Sequence, residues 1–133
     1  MQSETRVAIS TAADIVTARR EGRALATALG FNGSDLTLIA TSISEVARNI
    51  VDHAKRGEII LAPVHQGNKF GITITARDEG PGIPDVSLAM QYGYSSRKGL
   101  GVGLPGAKWL MDEFDIDSKV GKGTTVILKK WMH

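Results

Sequence analysis

Two glycine clusters in the second half of the chain are the clearest candidates for a binding site. The first follows an acidic residue, in Asp78-Glu-Gly80-Pro-Gly82-Ile83, and the second is Gly99-Leu-Gly-Val-Gly-Leu-Pro-Gly106. Glycine lacks a Cβ and accepts positive φ, so such clusters let backbone N–H groups turn toward a bound anion. Because an acidic residue opens the first cluster and a predicted helix follows the second, the pattern indicates a nucleotide rather than bare phosphate.

A second set of polar residues lies earlier, within a segment of helical periodicity. Glu45, Arg48, Asn49 and Asp52 fall on the side opposite an apolar stripe. Glu45 and Asn49 are four residues apart, so they project from one face of the helix, one turn above the other. A solvated polar face would show the same pattern, and the spacing alone leaves both interpretations open.

Three helices are predicted around these residues. Apolar residues at helical spacing predict a helix over Ala12–Leu29 and a second from an N-cap at Ser34 to near Lys55. A third begins inside the second glycine cluster near Leu104 and continues to Phe114. Its N-terminus can therefore point toward a phosphate group.

Alternating apolar residues predict five strands, at residues 5–10, 58–64, 70–76, 115–120 and 124–131. Glycine-containing turns join the second strand to the third and the fourth to the fifth as hairpins. In the third strand Phe70, Ile72, Ile74 and Ala76 are predicted to face the helices. The segment Pro84–Lys98, between the glycine clusters, is predicted to form a loop or lid that is mobile without nucleotide.

The order of these elements predicts an α/β fold: a two-layer sandwich with three helices on one face of a mixed, mostly antiparallel sheet. At 133 residues the chain corresponds to one domain, spanning residues 1–133. The absence of cysteine excludes disulfides, thiolate zinc sites and cysteine nucleophiles.

Charge and hydropathy limit the binding partners and the cellular location that we expect for this chain. The net charge is +2, the basic residues are scattered, and 5% of residues are aromatic, so a nucleic-acid surface is not expected. Neither a signal peptide nor an apolar run long enough to cross a bilayer is recognised. We therefore expect a cytoplasmic protein without a membrane partner.

Four motifs in a fixed order resemble the GHKL superfamily, which includes gyrase, heat-shock chaperones, histidine kinases and MutL. They are Glu45-Val-Ala-Arg48-Asn49, Asp78-Glu-Gly80-Pro-Gly82-Ile83, Gly99-Leu-Gly101-Val-Gly103-Leu and Gly121-Lys-Gly123-Thr-Thr125. Dinucleotide-binding and P-loop patterns do not fit, because the second glycine cluster neither follows a strand nor ends in Gly-Lys-Ser/Thr. The resemblance implies a Bergerat-type ATP-binding domain that uses ATP and Mg²⁺.

Within the superfamily the motifs look most like the serine/threonine switch kinases of bacterial stressosomes. Such a kinase phosphorylates a serine on a STAS-domain antagonist protein, leaves the stressosome complex, and activates a downstream phosphatase. Dimerisation helices carrying a phosphoacceptor histidine are not found in these residues, and no chemistry is assigned to His53, His65 or His133. This favours the switch kinases over histidine kinases.

The resemblance and physical chemistry together give roles to the first motif. Glu45 is the expected catalytic base, accepting the proton of an attacking serine hydroxyl. Asn49 is the expected magnesium ligand and nucleotide contact, because its neutral side-chain oxygen suits a hard cation that keeps several waters. Arg48 is left open between contacting the nucleotide and binding the partner protein.

The second and fourth motifs are expected to hold the adenine base. Asp78 would accept the exocyclic amino group, favouring ATP over GTP, while Gly80 and Gly82 let the chain turn beneath the base. Ile83 would pack on its face, and Thr125 would complete the pocket through its hydroxyl.

The third motif is expected to cradle the phosphates with Gly99, Leu100, Gly101, Val102, Gly103 and Leu104. Arg97 or Lys98 would close on the γ-phosphate, and the choice between them stays open. Trp109 and Trp131 are assigned either to a partner surface or to the core. Two other functions remain: a nucleotide-dependent adaptor or anti-sigma factor, and an isolated histidine-kinase-like ATPase domain.

Overall fold

The structure, a computed structural model, describes residues 4–83 and 103–132. Three α-helices are present in these ranges: α1 Ala12–Leu29, α2 Ser34–Asn49 and α3 Gly103–Leu110. A π-helical turn, Ile50–Ala54, extends α2 at its C-terminal end. The predicted lid, Pro84–Lys98, lies outside the described residues.

Five strands form one sheet: β1 Thr5–Ile9, β2 Gly57–Gln66, β3 Lys69–Asp78, β4 Glu113–Lys119 and β5 Gly123–Trp131. Their spatial order is β1-β2-β3-β5-β4, and each of the four pairings is antiparallel. The two-layer α/β sandwich is confirmed. Within the described residues the sheet is antiparallel throughout, whereas a mixed sheet was expected, because each neighbouring pair is a hairpin or an antiparallel return.

The ends of the helices follow from local hydrogen bonding. Thr11 caps α1 in a reciprocal capping box with Asp14, and Gly30 ends the helix at a φ of 109°. The N-cap of α2 is Gly33 rather than the predicted Ser34, which is the first helical residue. Because glycine has no side chain to accept a capping hydrogen bond, the first turn of α2 depends on packing instead.

Two further predictions differ from the structure. Helix α3 ends at Leu110, and Phe114 belongs to β4, because strand pairing begins at Glu113 opposite Lys129. Phe70 is 54% exposed instead of buried; it lies near the start of β3 and stacks on His65 with ring centroids 4.6 Å apart. The other predicted inward residues of β3, Ile72, Ile74 and Ala76, are buried.

The core lies between the sheet and the helices. Ile59 and Leu61 of β2, with Ile72 and Ile74 of β3, are completely buried against α1 and α2. Trp131 is buried, but Trp109 on α3 is 82% exposed. The two tryptophans therefore divide between the core and the surface.

The contact between α1 and α2 depends on a missing side chain. Gly22 of α1 lies directly against the Cδ1 methyl group of Ile43 on α2, where a Cβ would overlap that methyl. This close approach sets how the exposed faces of the two helices meet, and that meeting point forms part of the candidate site.

Candidate functional site

Helix α2 holds Glu45 in a largely buried position. The Glu45 residue is 7% exposed, although most carboxylates in folded proteins are solvated. Arg48, one turn further along, donates from Nη1 to Glu45 Oε2 at 3.2 Å. Asn49, half-buried, follows at the last position of the helix. The predicted pair therefore lies one turn apart on α2, with Arg48 positioned to orient the carboxylate.

Glu45 also lines an open groove of about 650 Å³ between α1 and α2. Cationic side chains come to this groove from both helices: Arg19, Arg20 and Arg23 from α1, and Arg48 from α2. The three arginines of α1 are exposed. The groove is thus positively charged and open to solvent, and the buried Glu45 carboxylate forms part of its wall.

The loop after β3 carries the second motif. Asp78 is the last residue of β3, and its Oδ1 accepts a hydrogen bond from the Gly80 N–H at 2.9 Å. Within residues 4–83 and 103–132, its second oxygen accepts no hydrogen bond. The carboxylate is therefore held in orientation by its own loop.

Glycine is required in this loop by neighbours within the protein. A Cβ on Gly80 would lie 2.6 Å from the Cβ of Ala54, so the loop rests directly on the π-helical turn. Gly82 has a φ of 80° and approaches the carbonyl oxygen of Lys119. Ala54 is nine residues beyond Glu45, which is roughly 13 Å along a helical axis. The loop after Asp78, residues 79–83 (the Asp78 loop), and the Glu45 carboxylate therefore lie at different levels along the α2 axis.

The β4–β5 hairpin fastens the same loop to the sheet. The Gly121 N–H donates to the Pro81 carbonyl at 2.8 Å, and the Ile83 N–H donates to Ser118 Oγ at 2.7 Å. Ser118 Oγ lies 2.7 Å from the Thr124 hydroxyl. Ser118 and Thr124 were not among the predicted site residues, and both contribute to this anchoring.

Thr124, rather than Thr125, lies on the Asp78 side of the sheet. Thr124 is 5% exposed and is paired with Asp78 in the β3–β5 register. Thr125 is paired with Arg77 and, by strand alternation, points to the opposite face. The register therefore favours the Thr124 hydroxyl over the predicted Thr125 hydroxyl as the group beside Asp78. The buried parity of Val126 and Leu128 is the sequence signal that could have found it.

The third motif is described only from Gly103 onward. Gly103 opens α3, so the helix N-terminus is where the motif predicted it. The Leu104 side chain is 5% exposed and belongs to the core, which leaves only its backbone for a phosphate contact. Ile83 is half-buried and also packs against the core. The predicted residues Arg97, Lys98, Gly99, Leu100, Gly101 and Val102 lie outside the described residues.

Comparison with known proteins identifies the family. The sequence profile of the histidine kinase-like ATPase domain matches residues 9–130. The chain belongs to the histidine kinase-like ATPase family. The resemblance to the GHKL superfamily is thereby confirmed, with the strand-end aspartate and the helical Glu45–Asn49 pair in the family's order.

The relatives of this chain include a serine/threonine-protein kinase and anti-sigma F factors. The chain is 47% identical over 133 residues to the serine/threonine-protein kinase RsbT of Bacillus subtilis, covering all of both chains. It is 37% identical over 100 residues to the anti-sigma F factor of a Thermoanaerobacter species, covering 71% of this chain and 68% of that protein. The anti-sigma F factor of Geobacillus stearothermophilus is 35% identical over 103 residues, with coverage of 72% and 69%.

A solved structure supports the fold alone. The RsbU and RsbW domains of a Mycobacterium tuberculosis protein superpose with a TM-score of 0.67 at 22% identity. The match covers 98% of this chain and 33% of that longer polypeptide. Helices on one face of an antiparallel sheet are thus an arrangement shared with that structure.

The described side chains fit the magnesium that the histidine kinase-like ATPase family implies. No group of three His, Cys, Asp or Glu side chains that could enclose a metal is found in the described ranges. Mg²⁺ seldom uses such a cage in nucleotide sites; it binds one or two protein oxygens, waters and phosphate oxygens. The Asn49 amide oxygen, one turn from Glu45, is a suitable single ligand.

None of the helices described here is both long and apolar enough to span a membrane.

Proposed function

We propose that this chain is a protein serine/threonine kinase that transfers the γ-phosphate of ATP to a serine of a STAS-domain antagonist protein. The observation that carries this proposal is the buried Glu45 carboxylate in the wall of the arginine-lined groove. A protein that only binds nucleotide does not need a catalytic base that faces a groove open to another protein. The full-length similarity to a named serine/threonine kinase supports the same conclusion.

In this proposal the nucleotide lies along α2. Asp78 and Thr124 bind adenine at the loop end, and the N-terminus of α3 receives the phosphates. Asn49 would hold Mg²⁺, and the bound ion would supply positive charge that offsets the negative charge of the phosphates. Arg97 or Lys98 closes on the γ-phosphate.

The acceptor protein would enter through the groove. Glu45 Oε1 or Oε2 takes the proton from the acceptor serine as its oxygen forms the new bond to phosphorus, and ADP leaves. Arg48 keeps the carboxylate oriented. Arg19, Arg20 and Arg23 attract an acidic surface around the acceptor serine and steer its approach.

The biological setting extends this assignment. The antagonist is held in a stressosome complex, and phosphorylation releases the kinase to bind and activate a downstream phosphatase in the cytoplasm. An anti-sigma factor or adaptor without essential kinase output is the second candidate, since anti-sigma F factors are among the relatives.

The test uses purified protein, γ-labelled ATP, Mg²⁺ and a lysate of the source organism. We expect acid-stable label on a small STAS-domain protein. Acid-labile label would instead indicate a histidine kinase, and ATP binding without any labelled protein would indicate the adaptor.

Glu45→Gln provides the residue-level test. Removing the base should slow transfer by about 10²–10⁴-fold while ATP affinity stays within about twofold. Glu21→Gln, at an exposed carboxylate on α1, is the matched control and should leave both quantities unchanged. Equal loss of ATP binding and transfer in Glu45→Gln would contradict the base assignment.

The groove is tested by charge reversal. Arg20→Glu should raise the KM for the acceptor protein and leave ATP affinity unchanged, because Arg20 lies on α1, away from the proposed nucleotide residues. Lys69→Glu makes the same change of charge at the far end of the β2–β3 hairpin and should affect neither quantity. An acceptor KM unaffected by Arg20→Glu would exclude the groove as the docking surface.

A further inference from the structure

Arg48 belongs both to the wall of the groove and to the immediate surroundings of the Glu45 carboxylate. Its Nη1 donates to Glu45 Oε2 at 3.2 Å, and its side chain is 34% exposed, whereas the side chain of Glu45 is 8% exposed. Within residues 4–83 and 103–132, this is the only hydrogen bond that the Arg48 guanidinium makes. A buried carboxylate is therefore in direct contact with a cation that reaches toward solvent.

The helical positions of three residues separate the proposed nucleotide side of α2 from the groove side. Successive residues of an α-helix are rotated by about 100° around the axis. Asn49, four positions after Glu45, is therefore displaced from it by roughly 40° in one direction, and Arg48, three positions after it, by roughly 60° in the other. Arg48 consequently lies on the side of Thr41 and Ser44, which line the groove. Glu45 lies between that side and Asn49.

The guanidinium group has more donors than Glu45 uses. Arginine carries five N–H groups in a planar fork, which can bind a carboxylate or a phosphate with two parallel hydrogen bonds. One N–H on Glu45 leaves the others for a ligand in the groove. Three more arginines, from α1, line the same groove, so an anionic ligand is favoured. Because Arg48 is turned away from Asn49, we assign this anion to the acceptor protein and not to the nucleotide.

We propose that Arg48 binds an Asp or Glu side chain beside the acceptor serine while it holds Glu45, so that one guanidinium aligns the base with the hydroxyl it deprotonates. This inference rests on the proposed kinase function and names the chemistry of the surface that the acceptor presents. Arg48 is a positioning residue. It transfers no proton and acts on the reaction through Glu45.

The first test separates charge from the planar fork. The acceptor used is the protein that carries acid-stable label in the lysate assay, purified in its unphosphorylated form. Arg48→Lys keeps the charge but cannot bridge two carboxylates, so kcat should fall about tenfold while the acceptor KM stays within about threefold. Arg48→Met also removes the charge, so kcat should fall and KM should rise, each about tenfold. The Kd for ATP should stay within about twofold in both variants.

The matched control is Arg56→Met. Arg56 is exposed between the π-helical turn and β2 and is not among the residues that line the groove. The same substitution there should leave kcat, the acceptor KM and the Kd for ATP unchanged.

A double-mutant cycle tests the contact itself. Each Asp or Glu close to the serine of the acceptor is changed to its amide and assayed with wild-type kinase and with Arg48→Met. Removal of the carboxylate that pairs with Arg48 should lower kcat/KM about tenfold with the wild type and should have almost no further effect with Arg48→Met. Additive effects at every acidic position would overturn the inference.

The other outcomes distinguish this inference from the proposed function. If Arg48→Met weakens ATP binding more than ADP binding, Arg48 contacts the γ-phosphate and the inference is wrong. If Arg48→Lys and Arg48→Met lower kcat equally and leave KM unchanged, Arg48 only orients Glu45, which also overturns it. Wild-type protein that binds ATP but labels no protein would overturn the kinase function, and this inference with it.

Discussion

Replacing Gly82 with alanine should damage both stability and nucleotide binding, and Gly121→Ala supplies a matched control. The two glycines have nearly the same φ, 80° and 82°. They differ in their surroundings: a Cβ on Gly82 would overlap the Lys119 carbonyl, whereas a Cβ on Gly121 would have no described heavy atom within 4 Å. The pair therefore separates the cost of backbone conformation from the cost of the contact.

The expected magnitudes follow from these two contributions. A left-handed φ costs a residue with a Cβ about 1–2 kcal/mol, so Gly121→Ala should lower the free energy of unfolding by that amount. Gly82→Ala carries the same cost and must also displace a backbone carbonyl, which adds about 1–3 kcal/mol of overpacking. The total expected for Gly82→Ala is therefore about 2–5 kcal/mol.

The contact lies between the Asp78 loop and the β4–β5 hairpin, so relief of the overlap moves the loop away from Ser118 and Thr124. ATP affinity should fall at least about tenfold in Gly82→Ala, since more than one loop hydrogen bond is disturbed. Urea unfolding gives the stability difference and isothermal titration gives the affinity. Equal destabilisation of the two variants, or unchanged ATP affinity in Gly82→Ala, would refute the reasoning.

Three other predictions concern metal binding, acid stability and helix packing. Asn49→Ala should abolish Mg²⁺-dependent ATP binding in titrations with and without EDTA, and persistence of an EDTA-sensitive affinity would exclude Asn49 as the ligand. Backbone N–H groups of Ser10 and Thr11 donate hydrogen bonds to the Asp14 carboxylate and lower its pKa below the ordinary 3.8. The ionised carboxylate therefore contributes to stability above pH 3.8, and this contribution is lost as the pH falls through the lowered pKa. Wild type should therefore be more stable than Asp14→Asn in urea unfolding at pH 7, with the difference shrinking toward pH 2; a constant difference would show that the charge is not involved. Gly22→Ala should destabilise the protein by about 1–3 kcal/mol, because the new Cβ overlaps the Cδ1 methyl group of Ile43. Adding Ile43→Val removes that methyl group and should recover part of the lost stability. Strictly additive effects of the two substitutions in thermal unfolding would contradict the packing argument.

Much of the architecture could be predicted from the sequence because its signals are local. Apolar periodicity located the three helices and the hairpins, and the motif order placed Asp78 at a strand end and Glu45 on α2. Phe70 was predicted to be buried because alternation reports which face of a strand a residue occupies, not whether a helix covers that part of the strand.

The parts of the site that could not be predicted depend on contacts between distant segments. The bond from Ile83 to Ser118 requires the loop and the hairpin to be docked, and no local pattern encodes it. The groove was missed for the same reason. Arg19, Arg20 and Arg23 look like an ordinary solvated helix face until the packing of α1 on α2 brings them beside Glu45. Thr124 is different, since the parity of its own strand contained the information.

Most arginines of the groove and the residues proposed to bind ATP lie on different elements of the fold, so the groove can change in sequence independently of the ATP site. Three of its four arginines belong to α1, while the residues proposed to hold ATP belong to α2, α3 and the sheet. On the proposed function, grafting α1 from another family member should therefore change the acceptor protein that is recognised and leave the use of ATP intact, provided that position 22 stays glycine. In a genome with several copies of this domain, substitutions on that single helix would keep parallel signalling pathways from phosphorylating one another's targets.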